Sequence, residues 1–364
     1  MKPIGLYLHV PFCKSKCDYC DFYSLAGRDD LFEKYTLAVI ESLGKWGERL
    51  NRNASTLYFG GGTPSLLSPE QIGRIIKTAR ENFSLTDAEI TLECNPSTIY
   101  DGFFDAVAQH GVNRISLGLQ SANLAERRSL GRKATPDQAQ HAVQSAQKSG
   151  IHNISLDLML ALPHQTRESL AQSVRFCADL GAKHISAYIL KAEEGTPFAK
   201  RTSEHPDDDF AADMYLAACE MIENYGYKQY EISNFCKDGF ESRHNLKYWL
   251  GEEYLGLGPA AHSFLDGKRF CFERNLDAFL NGAEPIFDSA GGDFEEFCML
   301  RLRLADGLKN ADTQRVFGFT IPENMLKKAR ALEKHTLTVC TEDSIRLTKQ
   351  GFLLSNAVIL EILS

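Results

Sequence analysis

The sequence predicts an α/β protein, in which a partial (β/α)6 barrel is followed by a smaller C-terminal α+β domain resembling a winged helix. From residue 4 to about residue 225, short β-rich segments alternate with longer helical patterns. Such alternation indicates βαβ units that cross over right-handed and form a parallel sheet. Beyond residue 290, helical patterns enclose two short strand patterns, which indicates a separate α+β unit.

Six barrel strands are predicted from short runs of β-branched, aromatic and other apolar residues. They cover residues 4–9, 56–59, 89–93, 114–119, 153–158 and 184–189. The helical patterns cover residues 31–50, 69–82, 101–109, 136–149, 168–180 and 208–225. Gly111, Gly150, Gly181 and Gly226 each follow one of these patterns, where a helix commonly ends in a left-handed residue.

Changes in the sequence pattern divide the chain into three expected parts. Residues 1–226 form the barrel, and residues 227–290, rich in glycine and aromatic residues, form an extension packed onto it. Residues 291–364 form the C-terminal domain. Its predicted elements are helices at 294–305 and 322–334, strands at 337–340 and 345–347, and a helix at 353–363.

Composition and charge exclude several classes of protein. The chain has 364 residues, 43% of them hydrophobic and 24% charged, which is typical of a globular protein. A formal net charge of −8 argues against nucleic-acid binding, which depends on clustered lysine and arginine. No apolar run approaches the ~20 residues that span a bilayer, so stable membrane insertion is not expected. Ten scattered cysteines without a secretory signal indicate free thiols in a reducing compartment, and we expect a cytoplasmic protein.

Three cysteines near the first predicted strand form the most informative motif. Cys13, Cys17 and Cys20 have the spacing C-x3-C-x2-C. Thiolates are the usual ligands of iron–sulfur clusters, and three of them leave one iron of a [4Fe–4S] cluster open. The alternative is a zinc knuckle, which needs a fourth ligand, and the local candidates His9 and Asp18 are poorly placed for that role.

Polar residues recur where the other predicted strands end. In α/β barrels functional groups lie at these carboxyl ends. A Gly-Gly-Gly-Thr-Pro turn at residues 60–64 follows the second strand, and such a backbone can approach a ligand closely and offer N–H donors. The polar residues at the later strand ends are Glu93, Gln120, Asp157 and Tyr188. Together with the cysteines they predict a cluster and a polar organic cofactor with amine, carboxylate and ribose groups.

The segment from Leu6 to Cys13, which reads LYLHVPFC and leads into the cysteine motif, resembles the radical S-adenosylmethionine (SAM) superfamily. The chain is similar to the branch that contains oxygen-independent coproporphyrinogen III oxidases and heme chaperones, and the likeness covers nearly its whole length. The resemblance implies that Cys13, Cys17 and Cys20 bind a [4Fe–4S] cluster. It further implies that the open iron is chelated by the amino and carboxylate groups of SAM.

The resemblance also implies which residues contact SAM. The matching positions are Tyr7, Tyr19, Gly61, Gly62, Thr63, Glu93, Gln120, Arg132 and Asp157. The two tyrosines would pack around the cluster and the adenosyl group, and the glycines and Thr63 would line the side of the SAM amine. Arg132 is suited to a carboxylate, because a guanidinium can donate two parallel hydrogen bonds.

Two features distinguish the chaperones from the oxidases in this branch. The oxidases carry a further cysteine two residues after the third ligand, and this chain has Phe22 there. The chain also contains His244-Asn-Leu-Lys-Tyr248-Trp249, which matches the H-N-x-x-Y-W signature of the chaperones and is implicated in heme binding. Imidazole is a standard axial ligand of heme, and Tyr248 and Trp249 can stack on a porphyrin. The alternative is a loop histidine beside an aromatic core pair, and His262 is a second candidate ligand.

The sequence therefore predicts a heme chaperone that binds a [4Fe–4S] cluster, SAM and heme, and passes heme to acceptor hemoproteins such as respiratory enzymes. The first alternative is an oxygen-independent coproporphyrinogen III oxidase, which converts two propionates to vinyl groups. The second is a radical SAM enzyme that acts on another tetrapyrrole, including in heme breakdown. Whether SAM is cleaved or only bound does not follow from the sequence.

Overall fold

The computed structural model describes residues 2–364 and contains one large sheet and two small ones. The strands are β1 (Ile4–Val10), β2 (Phe12–Cys13), β3 (Leu25–Ala26), β4 (Ala54–Gly61), β5 (Glu89–Cys94), β6 (Arg114–Gln120), β7 (Asn153–Leu160), β8 (His184–Ile189), β9 (Lys228–Gln229), β10 (Asn234–Cys236), β11 (Tyr254–Leu257), β12 (His262–Leu265), β13 (Lys268–Cys271), β14 (Ile286–Ala290), β15 (Leu308–Lys309), β16 (Thr338–Cys340) and β17 (Ser344–Leu347).

The helices alternate with the barrel strands and then dominate the C-terminal part. They are α1 (Phe32–Leu50), α2 (Pro69–Phe83), α3 (Phe103–His110), α4 (Leu124–Ser129), α5 (Pro136–Lys148), α6 (Arg167–Asp179), α7 (Asp208–Asn224), α8 (Arg243–Trp249), α9 (Leu276–Leu280), α10 (Phe294–Arg301), α11 (Asn310–Phe317), α12 (Glu323–Glu333), α13 (Lys349–Leu353) and α14 (Ser355–Leu363). None of the helices in residues 2–364 is both long and apolar enough to cross a membrane.

The large sheet has twelve strands in the order β14-β13-β12-β11-β1-β4-β5-β6-β7-β8-β10-β9. The predicted barrel strands are confirmed as β1, β4, β5, β6, β7 and β8, all parallel and in sequence order. The sheet remains open, with β14 at one edge and β9 at the other, which gives the expected partial barrel. We call the carboxyl ends of the parallel strands the mouth of the barrel and their amino ends the floor.

The residues after 226 extend the sheet at both edges, where the sequence suggested only structure packed onto it. β11 pairs in parallel with β1, and β12 to β14 continue from it as antiparallel strands. On the other side, β10 and β9 pair antiparallel to β8. Pairing satisfies backbone groups along both sides of the barrel, which an isolated six-stranded sheet would leave exposed.

The two faces of each barrel strand have different surroundings. On β1, Leu6 and Leu8 are buried in the hydrophobic core. The alternate residues Tyr7 and His9 lie on the opposite face, inside the barrel, and their side chains are hydrogen-bonded to each other at 3.2 Å. Since successive residues of a strand point to opposite faces, polar groups can line the interior while the helices cover an apolar exterior.

Local signals explain most helix boundaries. Ser68 and Thr135 form capping boxes with Gln71 and Gln138 at the starts of α2 and α5. The four predicted C-terminal glycines all have positive φ, between 72° and 106°. Glycine adopts this conformation without the steric penalty of a Cβ atom. These boundaries lie within a few residues of the predicted ones.

The C-terminal part forms the expected winged-helix-like arrangement. A three-stranded sheet in the order β15-β17-β16 packs with α10 to α14. The predicted helix over residues 294–305 ends at Arg301, and α11 was not predicted. This helix has eight residues, one buried side chain and no side-chain N-cap, so its pattern is too weak to detect in the sequence.

Candidate cofactor site

Cys13 ends β2, and Cys17 and Cys20 lie in the segment that joins β2 to β3 at the mouth of the barrel; each of the three is partly exposed. Two backbone hydrogen bonds of Asp18 fix the segment to the barrel. The Asp18 N–H donates to Leu130 O at 3.3 Å, and the Asp18 carbonyl accepts from the Phe198 N–H at 2.8 Å. The backbone N–H of Cys20 donates to Cys17 O at 3.2 Å. The motif is therefore a folded loop with three thiols at its surface.

The arrangement of the thiols distinguishes a cluster from a single metal ion. Within residues 2–364, no three cysteine, histidine or carboxylate side chains converge as ligands of one ion. The thiols are nevertheless neighbours: burial raises the pKa of Cys20, and Cys17 and Cys13 add to that shift. A zinc knuckle requires four ligands around one atom, whereas a four-iron cluster binds each thiolate on a different iron. The donor set fits the cluster.

Two hydrogen-bond donors from the barrel face these thiols. Thr63 Oγ1 lies 3.6 Å from Cys13 Sγ, and Arg132 Nη1 lies 3.6 Å from Cys17 Sγ. Arg132 Nη2 donates to Gly118 O at 2.7 Å, while Arg132 Nε is buried and has no partner. A partly buried guanidinium with an unused donor is suited to an anionic ligand, such as a carboxylate.

The glycine turn after β4 approaches the cysteine segment closely. A Cβ atom on Gly62 would lie 2.5 Å from Phe12 O, and Gly61 has a φ of 106°. The N–H groups of Gly62 and Thr63 donate to Val10 O and Phe12 O at 2.8 and 2.7 Å. Two of the N–H donors expected at this turn are therefore used within the protein, one toward β1 and one toward β2, and contact between the turn and a ligand stays a prediction.

Glu93, at the end of β5, is held toward the barrel interior by Tyr58, whose hydroxyl donates to Glu93 Oε1 at 2.7 Å. Burial raises the pKa of Glu93 to about 7, the Tyr58 hydrogen bond opposes the shift, and nearby Asp157 adds to it. Near neutral pH this carboxyl group therefore exists in both protonation states. A hydrogen-bond donor or a positive charge from a ligand would favour the carboxylate.

Gln120 and Asp157 lie on neighbouring strands of the same mouth. Gln120 has a φ of 67° at an irregularity in the β6–β7 pairing. A side chain larger than glycine rarely adopts this conformation, and such bulges re-aim side chains beside active sites. Asp157 accepts from Ser116 Oγ at 3.2 Å and from Ser155 Oγ at 3.4 Å, and burial raises its pKa.

The two predicted tyrosines occupy different levels. Tyr19, in the cysteine segment, packs against the small apolar cluster that includes Leu130 and Phe198. Tyr7 lies deeper, with its ring centroid 6.1 Å from that of Tyr58 and its hydroxyl on His9. Burial raises the pKa of both tyrosines, so both are neutral. Tyr19 therefore lies at the level of the cysteines, whereas Tyr7 lines the barrel interior below them.

The predicted heme residues lie at the opposite end of the barrel. His244, Tyr248 and Trp249 belong to α8, which lies across the floor. A Cβ atom on Gly5, at the start of β1, would lie 3.2 Å from His244 Cε1. Since β1 rises ~3.3 Å per residue, roughly 15 Å of strand separates this level from the cysteine segment. The heme motif therefore lies well below the cysteine segment but packs against the lowest of the predicted SAM residues. The ring centroid of His244 lies 6.3 Å from that of Tyr7 and 5.1 Å from that of Tyr58, whose hydroxyl binds Glu93.

His244 is 1% exposed, and both of its ring nitrogens are hydrogen-bonded. Nδ1 lies 2.8 Å from Thr56 Oγ1, and Nε2 lies 2.7 Å from Tyr248 Oη. Burial, with smaller contributions from Lys247 and Arg114, lowers the pKa of His244 to about 3. In this conformation His244 offers no free nitrogen to an iron. Heme ligation by His244 stays a prediction, and it requires the floor to rearrange.

The other members of the motif also have structural contacts. The ring of Tyr248 packs edge-on against Tyr254, with the centroids 4.5 Å apart. Trp249 is half-buried, and the guanidinium of Arg303 lies 6.0 Å from its ring centroid. His262, the second candidate, is exposed at the start of β12.

Two residues that organise these sites, Arg127 and Glu89, were not identified from the sequence. Arg127 donates from Nε to Ala134 O at 2.7 Å and from Nη1 to Ser121 O at 3.1 Å, and thereby fixes the turn that carries Arg132. Glu89 accepts from the backbone N–H groups of Arg243 and His244 at 3.1 and 3.0 Å. The position of Glu89 at a strand start was visible in the sequence, but its partner on α8 is 155 residues away.

Comparison with known proteins places this geometry in a family. The model of the radical SAM superfamily matches residues 7–177. The heme chaperone HemW of Haemophilus influenzae is 34% identical, over 99% of this chain and 97% of the relative. HemW of Escherichia coli K12 is 33% identical, over 99% of this chain and 98% of the relative.

Among solved structures, coproporphyrinogen III oxidase (HemN) from Escherichia coli superposes on the chain with a TM-score of 0.85. The alignment covers 99% of this chain and 90% of the oxidase, at 22% sequence identity. At this identity the likeness establishes the fold alone.

Proposed function

The chain belongs to the HemW family of heme chaperones within the radical SAM superfamily, and from this premise we propose that it binds heme and delivers it to hemoproteins. The observation that carries the proposal is similarity to the chaperones from end to end, at 33–34% identity. The cofactors that follow from family membership are a [4Fe–4S] cluster and SAM, with heme as the cargo.

The cluster site is proposed at Cys13, Cys17 and Cys20. When bound, the cluster would offer one open iron to the amino and carboxylate groups of SAM. Arg132 balances the charge of the thiolates, because its guanidinium lies 3.6 Å from Cys17 Sγ. The unused Nε of Arg132 supports its proposed role toward an anionic group of SAM.

The remaining SAM contacts are proposed around the mouth. Glu93 is proposed to accept a hydrogen bond from SAM. The pKa of Glu93 is about 7, and a hydrogen-bond donor beside it would favour the carboxylate form. Gln120 and Asp157 face the same interior from adjacent strands. Gly61, Gly62 and Thr63 of the glycine turn are proposed to lie close to the amino group of SAM. Tyr7 and Tyr19 are proposed to pack beside the cluster and the adenosyl group.

The acceptors and the compartment are also proposals. Heme-containing respiratory enzymes are proposed as acceptors of the heme. The cytoplasm is proposed as the compartment, because all ten cysteines in the described residues 2–364 are free thiols. A reducing environment preserves both these thiols and an oxygen-sensitive cluster.

Anaerobic reconstitution tests the proposal. Iron and sulfide analysis is expected to give about four of each per chain, and stoichiometric zinc without sulfide would contradict the cluster. Heme added to the reconstituted protein is expected to bind stoichiometrically, as measured by its absorbance. Transfer is then measured by the spectrum of an added apo-hemoprotein after the two proteins are separated.

The second candidate function is coproporphyrinogen III oxidase activity, favoured by the whole-chain likeness of fold to HemN. Phe22 argues against it, because the side chain stands where the oxidases carry a further cysteine and is 66% exposed. Reduced protein supplied with SAM and coproporphyrinogen III is expected to yield no protoporphyrinogen IX. Turnover in that assay would replace the chaperone proposal with the oxidase.

A further inference from the structure

A cavity of about 320 Å³ lies beneath the floor of the barrel, away from the cysteine segment. Its upper wall is formed by residues that precede β1, β4 and β11, including Pro3, Arg52 and Glu253. The lower wall comes from α10 and α11 of the C-terminal part, including Phe297 and Val316. The volume is at the small end of the range for ligand pockets, about 300–1,000 Å³.

The charge of the cavity wall is opposite to that of the protein as a whole. Five cationic side chains and three carboxylates line it, whereas the chain carries a formal charge of −8. The cations are Lys2, Arg52, Arg269, Arg301 and Arg315, and the carboxylates are Glu252, Glu253 and Glu296. Asp312, which lies behind the wall, contacts both Arg301 and Arg315, so the local excess is one positive charge, which favours an anionic ligand.

Two of the arginines are largely buried and incompletely paired. The side chain of Arg52 is 7% exposed and binds Glu253 at 2.6 Å and Lys2 O at 2.9 Å, but its Nε has no partner. The side chain of Arg301 is 11% exposed, its nearest carboxylate is Asp312 at 3.8 Å, and its Nε is also unpartnered. The two Nε atoms are shielded from the cavity, so an anion there would meet the Nη groups, and the guanidinium of Arg301 has no carboxylate closer than 3.8 Å. A guanidinium without a close carboxylate partner is suited to an anionic ligand.

Asp312 is in addition shared between two cations. Its other oxygen accepts from Arg315 at 2.7 Å, which leaves Arg301 the weaker partner. Desolvation lowers the pKa of Arg301, Asp312 opposes the shift, and Arg315 adds to it. An additional carboxylate in the cavity would therefore stabilise the Arg301 charge.

The rest of the wall is apolar and continuous with the H-N-x-x-Y-W segment. Phe264, Phe297, Leu250 and Leu300 contribute apolar surface, and Leu250 directly follows Trp249. Lys247 of the motif binds Glu252 in the wall at 3.1 Å. An amphipathic ligand with a flat apolar body and a carboxylate edge fits such a wall.

Tyr248 is joined to the same wall by a second route. Its ring packs on Tyr254, and the Tyr254 hydroxyl accepts from Arg269 Nη1 at 3.3 Å. Tyr248 is in turn hydrogen-bonded to His244. A ligand that displaces Arg269 is therefore expected to disturb the contacts of His244 through Tyr254 and Tyr248. The cavity and the predicted heme motif therefore form one contiguous structure.

We infer that this cavity receives the propionate edge of heme, with Arg52 and Arg301 as the carboxylate-binding residues. The inference rests on the proposed chaperone function and names where its cargo is recognised. A porphyrin plate is larger than the cavity, so the assignment is to the carboxylate-bearing edge and not to the whole ring. In this account recognition begins at the propionates and does not require His244 to be free.

A comparison of two ligands tests the inference without changing the protein. Full-length, anaerobically reconstituted protein is titrated with heme and with heme dimethyl ester, whose carboxylates are blocked, from the same solvent stock. Hydrogen bonds between charged partners typically stabilise a complex enough to change affinity about tenfold or more. We expect heme to bind at least about tenfold more tightly than the diester, as measured in the Soret band.

Two variants then assign the effect to the cavity. Arg52→Gln and Arg301→Gln keep a polar hydrogen-bonding side chain and remove the charge, so each is expected to lose about tenfold in affinity for heme and little for the diester. Arg175→Gln is the matched control, because Arg175 is a 72% exposed residue on α6 that pairs with Asp179. This control lowers the net charge equally and is expected to leave both affinities unchanged.

Equal binding of heme and the diester by the unmodified protein would overturn the inference while leaving the chaperone proposal in place. The same conclusion would follow if both variants retained the full preference for heme. Absence of binding to either ligand would overturn the chaperone proposal together with the inference. If a variant fails to fold, as judged by circular dichroism, the comparison of heme with its diester on the unmodified chain still tests whether the carboxylates are recognised.

Discussion

Arg132 at the mouth is partly buried and His244 at the floor is fully buried, and the hydrogen bonding of the two side chains differs. Arg132 has an unpartnered Nε beside the thiol of Cys17, whereas both ring nitrogens of His244 are bonded. A buried donor left without a partner is costly unless a ligand completes it, while a completed residue mainly stabilises the fold. The first residue therefore fits a binding role and the second a structural one.

Replacing His244 by alanine is expected to destabilise the protein. The change leaves Thr56 Oγ1 and Tyr248 Oη without their partner and opens a cavity against Gly5. We expect a loss of about 2–4 kcal/mol in the free energy of unfolding, measured with urea. His262→Ala, at an exposed position, is the control and is expected to change stability by less than about 0.5 kcal/mol. A His244→Ala protein of unchanged stability that no longer binds heme would support direct ligation instead.

Glu231 gives the stability of the protein a pH dependence far from the cysteine segment. Burial raises its pKa to about 7, and hydrogen bonds from Asn234 and Ser233 oppose the shift. The folded state therefore holds a proton that the unfolded state releases near pH 4.3, so stability falls as pH rises from about 4.5 to about 7. Glu231→Gln keeps an acceptor and is expected to remove about 1–3 kcal/mol of this decline. An unchanged slope of unfolding free energy against pH would contradict the assignment.

At the scale of elements, helix α8 and the glycine turn after β4 are each placed by contacts distant in sequence. Alternation and capping signals predicted the barrel strands and most helices, because those signals are local. They could not predict α8 across the floor, since its anchor Glu89 lies on β5. They also could not show that two N–H groups of the glycine turn bind β1 and β2. The position of the heme motif in the fold therefore could not be predicted from local sequence patterns. The positions of the strand-end residues could be, because they follow from the strands themselves.

The anchoring of α8 by Glu89 is expected to be strong, because a carboxylate accepts two N–H groups at the positive end of a helix. Glu89→Gln is expected to lower stability by about 1–3 kcal/mol and to speed amide hydrogen exchange in α8. Glu168→Gln, an exposed first-turn position of α6, provides the control. Unchanged exchange in α8 would show that other contacts hold the helix.

The turn after β4 is expected to tolerate no side chain at residue 62. In Gly62→Ala the new Cβ would lie 2.5 Å from Phe12 O, so the cysteine segment must shift. We expect iron and sulfide content after reconstitution to fall well below that of the unmodified chain. Gly44→Ala is a matched control, because a Cβ atom there meets nothing within 4 Å on α1, and helix propensity favours alanine. Full cluster content in Gly62→Ala would refute the proposed dependence on close approach.

At the scale of the whole molecule, the proposed cofactor residues and the predicted heme motif occupy different levels of one barrel. The thiols and most of the proposed SAM residues lie at the mouth, while the predicted heme motif and the cationic cavity lie at the floor. The open sheet joins the two ends, and β11 connects the floor segment directly to β1. The sequence motifs predicted both sets of residues, and the fold arranges them along the axis of the barrel. The two sets meet where the ring of His244 packs against those of Tyr7 and Tyr58.

Transfer of heme to an acceptor is the measurement that tests the chaperone assignment most directly. Reconstituted protein loaded with one heme per chain is mixed anaerobically with an apo-hemoprotein, separated from it, and both are scanned in the Soret region. We expect heme to leave this protein and the acceptor to gain its holo spectrum. Failure to load heme, together with turnover of coproporphyrinogen III in the presence of SAM, would contradict it.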